Sequence, residues 1–383
     1  MPHNKIPLLT LVLSLFLLLF LSSLFGCSRE PILIGFSGPL TGVYSDLGVQ
    51  GRNGVTLAVE EINSQGGIAN RDLRLLSRDD KNSPEQSRKR DRELIAKDVV
   101  AVIGHMTSSQ SVAALPVFKE AGVVLLSPTT STPKLSGKKD MFFRVNPSSD
   151  RIARALGRFA RERLGFTRLH TVRDTDNHAY TQPFTDHFIQ GFKQEREKVS
   201  QKSVFSSDQL EEWSGVVDCL QQGAPQGVMI AASARDTASL CASLKRQSWQ
   251  PTVLASGWAA TRELLMKGGD AVEGIYLAKA GYADKEAASY QRFVRRYRER
   301  FGSNPSFPAI QGYHAAMALA RALKKTGGKR EGLPEALTRV KDFPSFYGQL
   351  SLNEYGDVRM PLHILRVQNG TFTVEAQIKP KAD

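Results

Sequence analysis

The sequence predicts an α/β protein with two lobes, each built on a doubly wound parallel sheet. Three observations support this prediction. Short apolar strands alternate with amphipathic helices along most of the 383 residues, a pattern typical of parallel sheets with helices on both faces. The alternation restarts near residue 150, and the chain is too long for one compact core. No long linker or low-complexity segment separates the two parts, so several short crossings should join the lobes.

The first part of the alternation contains four predicted strands and three predicted helices. The stretch 99–104 is fully apolar, as expected of a strand that is buried on both faces. In the helix predicted at 48–64, Val55, Val59 and Ile62 share one face. The other predicted elements of this part are strands at 32–36, 73–76 and 123–126 and helices at 84–97 and 109–121.

The second part repeats this alternation of strands and helices and then departs from it. Its predicted elements are helices at 150–164, 181–197, 211–222 and 236–247 and strands at 169–172, 204–205, 228–231, 253–255 and 275–277. Three helical stretches follow, at 285–301, 307–325 and 332–340. The tail should form a β-hairpin, because strands at 363–368 and 371–374 flank Asn369-Gly370, the strongest short hairpin signal.

The first residues predict export and lipid attachment. One positive charge, Lys5, precedes a nearly unbroken apolar run at 8–21, and small residues follow it, as in a secretory signal. Leu24, three positions before Cys27, makes residues 1–26 similar to a bacterial lipoprotein signal, after which the cysteine becomes the acylated N-terminus. An uncleaved membrane helix and an ordinary cleaved signal are the alternatives. In each case the rest of the chain lies outside the cytoplasm.

The charge balance and the cysteines exclude several function classes. The formal net charge is +13, which would suit anionic lipid surfaces or nucleic acid. The basic residues are spread along helices without interleaved aromatic residues, as at 292–300, so we interpret them as solvated faces and expect no nucleic-acid partner. Cys219 and Cys241 are compatible with either a disulfide or buried thiols. No zinc-type spacing of His and Cys is present, and we expect no metal and no cofactor.

The sequence contains no motif of a known catalytic mechanism, so we expect a protein that is not an enzyme. We find no G-x-S-x-G elbow, no H-E-x-x-H, no Walker A loop and no G-x-G-x-x-G after a strand. His105 lies near Ser108 and Ser109, but hydroxyl groups at a helix start usually cap the helix. We interpret Asp79-Asp80 as a solvated strand end rather than a metal site.

Small hydroxyl residues cluster in three loops that follow predicted strands, at 37–42, 105–110 and 127–133. In open α/β sheets, ligands bind beyond the carboxyl ends of the strands. Exposed helix N-termini at that edge favour a carboxylate or another polar anion. Hydroxyl groups add hydrogen bonds without adding charge, which suits capture and release better than catalysis. The alternative is that these loops contain only turns and helix caps.

Short segments in a consistent order and spacing carry a family resemblance. They are GFSGPLTG at 35–42, AVEEIN at 58–63, VIGH at 102–105 with Ser108-Ser109, Ser127-Pro128 with Thr130, Phe143-Arg144 and GDAVEG at 269–274. From about Ile32 to Ala376, the chain resembles the substrate-binding proteins of branched-chain amino acid ABC transporters, in the type I periplasmic binding protein class. The resemblance implies three hinge crossings between an N-terminal lobe of residues 31–147 plus 278–355 and a C-terminal lobe of residues 148–277 plus 356–379.

The resemblance also implies ligand contacts from both lobes. A hydroxyl after the third strand binds the carboxylate of a bound amino acid, and the loop after the fourth strand holds both its carboxylate and its ammonium. A tyrosine of the second lobe closes over the ligand, and a tryptophan is expected to pack on an apolar or planar part of it. The positions of this chain that take these roles are Ser108, Ser109, Thr129, Thr130, Ser131, Tyr180 and Trp258.

This chain departs from the family pattern at three positions. Leu47 stands near the first loop in place of an aromatic residue, with Tyr44 nearby, and Ser233 replaces an aromatic residue of the second lobe. The acidic residue that pairs with the ligand ammonium in branched-chain amino acid binders falls at about Gly257. A buried ammonium without a counter-charge is costly. Therefore either another aspartate replaces this acid or the ligand has no α-amino group. The candidate replacements are Asp236 and Asp46.

The resemblance implies a solute-binding lipoprotein of an ABC importer. It would capture an amino acid or a related carboxylate or amide by hinge closure and present it to a permease in the inner membrane. We expect it in the cell envelope, on the periplasmic or outer-surface side, anchored to a membrane through lipid at Cys27. Two alternatives stay open: a ligand sensor that passes its closed state to a signalling protein, and an interaction lipoprotein with an empty pocket that regulates an envelope protein.

Overall fold

The structure is a computed structural model that describes residues 30–194 and 197–378. The predicted signal segment and the predicted lipid site at Cys27 lie outside these residues. Within the described ranges, none of the helices combines the length and the apolar character that crossing a membrane requires.

The first sheet consists of five parallel strands. They are β1 (Ile32–Gly38), β2 (Leu73–Asp79), β3 (Ala101–Gly104), β4 (Val124–Ser127) and β5 (Phe142–Arg144), in the spatial order β2-β1-β3-β4-β5. The connecting helices are α1 (Ser45–Ser64), α2 (Pro84–Ile95) and α3 (Ser108–Ala121). Strands β3 and β4 are buried along their whole length because alternate residues enter separate apolar clusters on the two faces. The doubly wound arrangement predicted for this part is confirmed.

The second sheet is larger and mixed. The remaining strands are β6 (Arg168–Asp174), β7 (Lys198–Phe205), β8 (Gly227–Ala231), β9 (Thr252–Ser256), β10 (Tyr276–Ala280), β11 (Phe343–Ser345), β12 (Gly348–Leu350), β13 (Leu362–Gln368) and β14 (Thr371–Ile378). Seven of them form this sheet, in the order β14-β13-β10-β9-β8-β6-β7, and β11 pairs only with β12. The tail hairpin predicted at Asn369-Gly370 is present, and it adds two antiparallel strands to five parallel ones.

The later helices complete both lobes. They are α4 (Asp150–Glu162), α5 (His178–Phe192), α6 (Ser214–Gln221), α7 (Ala234–Arg246), α8 (Arg262–Gly268), α9 (Ala288–Phe301), α10 (Phe307–Thr326) and α11 (Leu333–Thr338). Helix α10 packs closely on α1, which belongs to the first lobe. A Cβ atom at Gly54 would lie 1.9 Å from the carbonyl oxygen of Ala309, so glycine permits this close approach. The predicted lobe boundaries stay a prediction.

Element boundaries differ from the prediction where the sequence signal is weak. The helix predicted at 181–197 is His178–Phe192, and the short strand predicted at 204–205 extends over Lys198–Phe205. Polar residues within that edge strand hide its period from sequence analysis. The strand Phe142–Arg144, the β11–β12 hairpin and helix α8 were not predicted as elements, because three-residue strands and a seven-residue helix are too short to show a period.

Two local predictions are settled by burial and bonding. Asp80 is fully buried and pairs with His105, so its interpretation as a solvated strand end is wrong. Asp79 is only partly buried, and its carboxylate accepts hydrogen bonds from the backbone of Leu40 and the hydroxyl of Thr41. Cys219 and Cys241 are free thiols, which resolves the alternative between a disulfide and two thiols.

Candidate functional site

A cleft lies between the two sheets and receives residues from both. On the first-sheet side, the loops after β3 and β4 and the first part of α1 line it. On the second-sheet side, the start of α5, the 3-10 turn Gly257–Ala259 and the end of β10 line it. The predicted positions that lie in the cleft wall are Leu47, Ser108, Thr129, Ser131, Tyr180, Gly257 and Trp258.

Hydrogen bonds between the loops after β3 and β4 arrange the hydroxyl groups of the first lobe. The N–H of Ser131 donates to Ser108 Oγ at 3.3 Å, and the hydroxyl of Thr129 donates to the carbonyl of Met106. Ser108 is the first residue of α3, and Thr107 before it makes no side-chain capping bond. The hydroxyl of Ser109 accepts the N–H of Ala179 and that of Ser108 accepts the N–H of Ser131, so our expectation that these two hydroxyls cap α3 is wrong. The loop at 37–42 contributes no residue to the cleft wall.

Sequence analysis missed polar residues that follow β5. Asn146 lines the cleft and donates from Nδ2 to the carbonyl of Thr129 at 2.9 Å. Ser149 also lines it, and its backbone N–H donates to the carbonyl of Ser131 at 2.7 Å. The hydroxyl of Ser149 is buried without a hydrogen-bond partner in the described part of the chain, and such a group is expected to find one. The rule that identified the other loops would have found both residues if the three-residue strand β5 had been recognised.

Aromatic rings from both lobes pack together at the cleft. The ring centroid of Trp258 lies 5.1 Å from that of Tyr44 and 5.9 Å from that of Tyr180, which meets it edge-on. Tyr44 comes from the first lobe, so this cluster joins the lobes. Burial raises the pKa of Tyr180 to about 12, so its hydroxyl stays protonated at neutral pH and can donate a hydrogen bond.

Several predicted positions are not part of the cleft wall. They are Tyr44, Ser109, Thr130, Ser233 and Asp236. The hydroxyl of Thr130 lies 2.6 Å from that of Ser111, beneath the loop. Ser233 caps α7 by accepting from the backbone of Asp236, and its hydroxyl donates to the carboxylate of Asp236 at 2.6 Å. A second hydroxyl, that of Ser207, donates to the same carboxylate oxygen at 2.6 Å.

One charged residue, Lys279, borders the cleft, and sequence analysis missed it. Lys279 also lines a second cavity, and its Nζ lies 4.2 Å from the ring centroid of Phe307 and 5.9 Å from that of Tyr347. Loss of hydration on burial lowers its pKa to about 7. Periodicity alone predicts a short apolar strand here, so a lysine at the strand's end gave no signal.

A buried ionic network supports the loop after β3. The ring nitrogens of His105 lie 2.7 Å from Asp80 Oδ2 and 2.9 Å from Asp91 Oδ2, and all three side chains are fully buried. Burial alone would lower the pKa of His105, but the carboxylates of Asp91 and Asp80 outweigh it and raise the pKa to about 10. The carbonyl of His105 accepts the hydroxyl of Ser127 at 2.7 Å. His105 therefore holds the loop in place and does not pair with Ser108.

Comparison with known protein families gives one match over most of the chain. A family profile described as "Periplasmic binding protein" matches residues 31–371. Among individual proteins, the Leu/Ile/Val-binding protein homolog 1 of Brucella abortus (strain 2308) is 22% identical over 345 residues, which cover 89% of this chain and 91% of the relative.

Solved structures share the fold at low sequence identity. LivJ, the branched-chain amino acid transporter substrate-binding protein of Streptococcus pneumoniae, in complex with isoleucine, has a TM-score of 0.83 at 20% identity and covers 91% of this chain and 100% of its own. A solute-binding protein of an ABC transporter from R. palustris, in complex with benzoate, has a TM-score of 0.82 at 19% identity, with 91% and 96% covered. These similarities confirm the predicted two-lobed fold.

Proposed function

The chain belongs to the periplasmic binding protein family, and on this premise we propose that it is the lipid-anchored solute-binding component of an ABC importer. Its relatives are substrate-binding proteins of transporters and not enzymes. The family works outside the cytoplasm, which agrees with the export signal predicted at the N-terminus.

The observation that carries the proposal is a single cleft to which both lobes bring ligand-type groups. The hydroxyls of Ser108 and Ser131 come from the first lobe, and the rings of Tyr180 and Trp258 come from the second. A ligand that contacts both walls binds the closed form more tightly than the open form, and this difference shifts the equilibrium toward closure. The closed form is then presented to a permease.

We propose a small organic ligand with a carboxylate or amide group, amino acids included. The start of α3 and the hydroxyls beside it supply uncharged donors suited to such a group. Isoleucine and benzoate, bound by two proteins of the same fold, share a carboxylate and an apolar body. The apolar part of this cleft, with Leu47, Ile152 and Trp258, suits such a body.

Scanning fluorimetry of the purified protein against a library of small carboxylates, amides and amino acids tests this proposal. A ligand that binds only the folded form raises the melting temperature by mass action. We expect a concentration-dependent rise with at least one compound, and a smaller rise for Ser108→Ala than for the matched exposed variant Ser64→Ala. No rise with any compound, together with co-purification of an envelope protein, would contradict solute capture.

The lipid anchor needs a separate test because Cys27 lies outside the described residues. We expect the wild-type protein to fractionate with membranes and its N-terminal peptide to carry acyl chains in mass spectrometry. The variant Cys27→Ala should lose the acyl chains. An unmodified wild-type Cys27 would contradict the lipid anchor and leave the binding proposal intact.

A further inference from the structure

We propose that the second cavity binds a small aromatic carboxylate, independently of the solute in the cleft. The cavity has a volume of about 670 Å³, which lies within the range of about 300–1,000 Å³ that is typical of small-molecule sites. Its wall is formed by the end of β10, α8, α9, the start of α10 and the β13–β14 hairpin. Among the described residues it shares only Lys279 and Phe307 with the cleft wall.

Strand alternation turns the side chain of Lys279 away from the cleft and toward the second cavity. Successive side chains of a strand point to opposite faces, and the flanking residues Ala278 and Ala280 line the cleft but not the second cavity. The Nζ of Lys279 lies 5.9 Å from the ring centroid of Tyr347, which lines the second cavity but not the cleft. The ammonium therefore lies on the side of the second cavity.

The neighbouring strand supports this position. His363 lies directly opposite Lys279 in the antiparallel pair of β10 and β13, so the two side chains share one face. Burial and the nearby charge of Lys279 both lower the pKa of His363. The ring centroid of His363 lies 6.0 Å from that of Tyr282, a further residue of the second cavity.

The positive charges of this cavity have no acidic partner in its wall. Lys279 forms no ion pair and no hydrogen bond in the described part of the chain, where its Nζ contacts only the rings of Phe307 and Tyr347. Aromatic faces stabilise a cation less than a carboxylate does. Arg262 and Lys285, both exposed, add two cations to the wall, whose described residues include no aspartate or glutamate. An anionic group therefore finds cationic partners here without a competing carboxylate.

Aromatic rings define the body of the ligand. Most of the large apolar side chains of the wall are aromatic, and rings pack on a planar ligand by offset stacking or edge-to-face contact. Met266, which is 67% exposed, adds apolar surface at the mouth of the cavity. A single ammonium beside such rings matches a flat apolar body with one negative charge, which is an aromatic monocarboxylate. The rings are those of Tyr282, Tyr290, Phe307, Tyr347 and Phe372.

Three probes that share one ring system and differ in charge test this assignment. They are naphthalene-2-carboxylate, naphthalene-2-carboxamide and naphthalen-2-ylmethanamine. Calorimetric titration of the purified protein at pH 6 keeps Lys279 protonated, since its pKa is about 7. The wild type should bind the carboxylate at least tenfold more tightly than the amide or the amine. An amide or an amine that binds as tightly as the carboxylate, or no binding of any probe, overturns the inference.

Charge variants of Met266 show whether the probe lies in the second cavity. Met266 lines this cavity, has no part in the cleft wall and is exposed, so both substitutions leave the core intact. At low ionic strength, where exposed charges are least screened, Met266→Glu should bind the carboxylate at least threefold more weakly than Met266→Lys. The amide should bind both variants equally. Equal carboxylate affinities in the two variants overturn the inference.

Variants of Lys279 test the role of its charge. Lys279→Met should lose carboxylate affinity by at least tenfold without losing amide affinity, and Lys279→Arg, which keeps the charge, should lose less. The melting temperature of ligand-free Lys279→Met should equal or exceed that of the wild type, because an unpaired cation has been removed, so weaker binding is not explained by misfolding. Unchanged carboxylate affinity in Lys279→Met overturns the inference.

A cleft variant separates this inference from the proposed function. Ser108 lines the cleft and not the second cavity, so Ser108→Ala should keep a site that binds naphthalene-2-carboxylate with wild-type affinity. Loss of that site in Ser108→Ala would place the probe in the cleft and overturn the inference, while solute capture would stand. Binding in the second cavity without any ligand for the cleft would support the inference and contradict solute capture.

Discussion

The backbone N–H of Ser109 donates to Oδ1 of Asn177 at 3.1 Å, which joins the start of α3 in the first lobe to the residue before α5 in the second. The hydroxyl of Ser109 accepts the N–H of Ala179 at 3.1 Å in return. Ser109 therefore does not face the cleft as a ligand contact but forms a reciprocal bond across it. The two walls of the cleft are in direct contact here, and this pair of hydrogen bonds, which we call the latch, helps to hold them together.

Removal of this latch should favour the open form. Ser109→Ala deletes the acceptor for the N–H of Ala179 and should reduce the free energy of closure by about 1 kcal/mol, the value of an ordinary hydrogen bond. Ligand affinity should fall by up to about fivefold, and small-angle scattering should show a larger radius of gyration for the ligand-free variant. The exposed Ser64→Ala serves as the control. A variant as compact as the wild type would show that the latch does not govern closure.

The His105 network should make stability depend on pH in one direction. The folded-state pKa of His105, about 10, exceeds the unfolded value of 6.5. The native state therefore binds the extra proton, and this stabilisation is complete below about pH 6.5 and is lost as the pH rises toward about 10. His105→Gln leaves two buried carboxylates unpaired and should destabilise the fold by about 3–5 kcal/mol. Denaturant unfolding at several pH values measures both effects, with the exposed His178→Gln as control. A His105→Gln variant as stable as His178→Gln at every pH would contradict the stabilising role of the network.

Lys279 should change the stability of the ligand-free protein with pH in the direction opposite to that of His105. Its folded pKa of about 7 lies below the unfolded value of 10.5. The unfolded state therefore binds more protons, and stability from this group rises between about pH 7 and 10.5. The difference between wild type and Lys279→Met isolates this contribution from that of His105. The neighbouring titratable groups, His363 on the paired strand β13 and Tyr347, remain in both proteins. If the difference in unfolding free energy between wild type and Lys279→Met stays constant over this pH range, the lowered pKa of Lys279 is contradicted.

The close approach at Gly257 should make any side chain there destabilising. Gly257→Ala forces a methyl group against the carbonyl of Ala278 and should cost about 1–3 kcal/mol of stability. Gly215→Ala, in an exposed helix with open space around it, should instead be neutral or stabilise by up to about 1 kcal/mol. Chemical denaturation of the two variants checks the contrast. Equal stability of both would show that the backbone near residue 257 adapts easily.

Much of the fold follows from hydrophobic periodicity, because the parallel strands are buried on both faces and read as continuous apolar runs. Stretches such as 99–104 therefore predict their strands directly. The same logic fails for β5 and for the edge strand β7, where length or polarity hides the period. The loops that contain Ser108 and Ser131 could be predicted because they follow strand ends, whereas Trp258 was predicted only from the family resemblance.

Other features of the site depend on tertiary contacts that no local pattern encodes. Asp80 is buried because it pairs with His105, which lies 25 residues later in the sequence. The residues around Asp80 do not reveal this partner. Lys279 and His363 become neighbours only through the pairing of β10 with β13. The positions of Ser109 and Asn177 across the cleft likewise follow from how the lobes meet, which the order of elements leaves open.

Calorimetric titration of Ser108→Ala with the carboxylate identified by fluorimetry tests most directly whether the hydroxyls of the first lobe hold the ligand. Loss of one buried hydrogen bond to a charged group should weaken binding by about 1.5–3 kcal/mol, with the melting temperature of the ligand-free variant close to that of Ser64→Ala. An affinity equal to that of the Ser64→Ala control would place the ligand elsewhere and contradict the account.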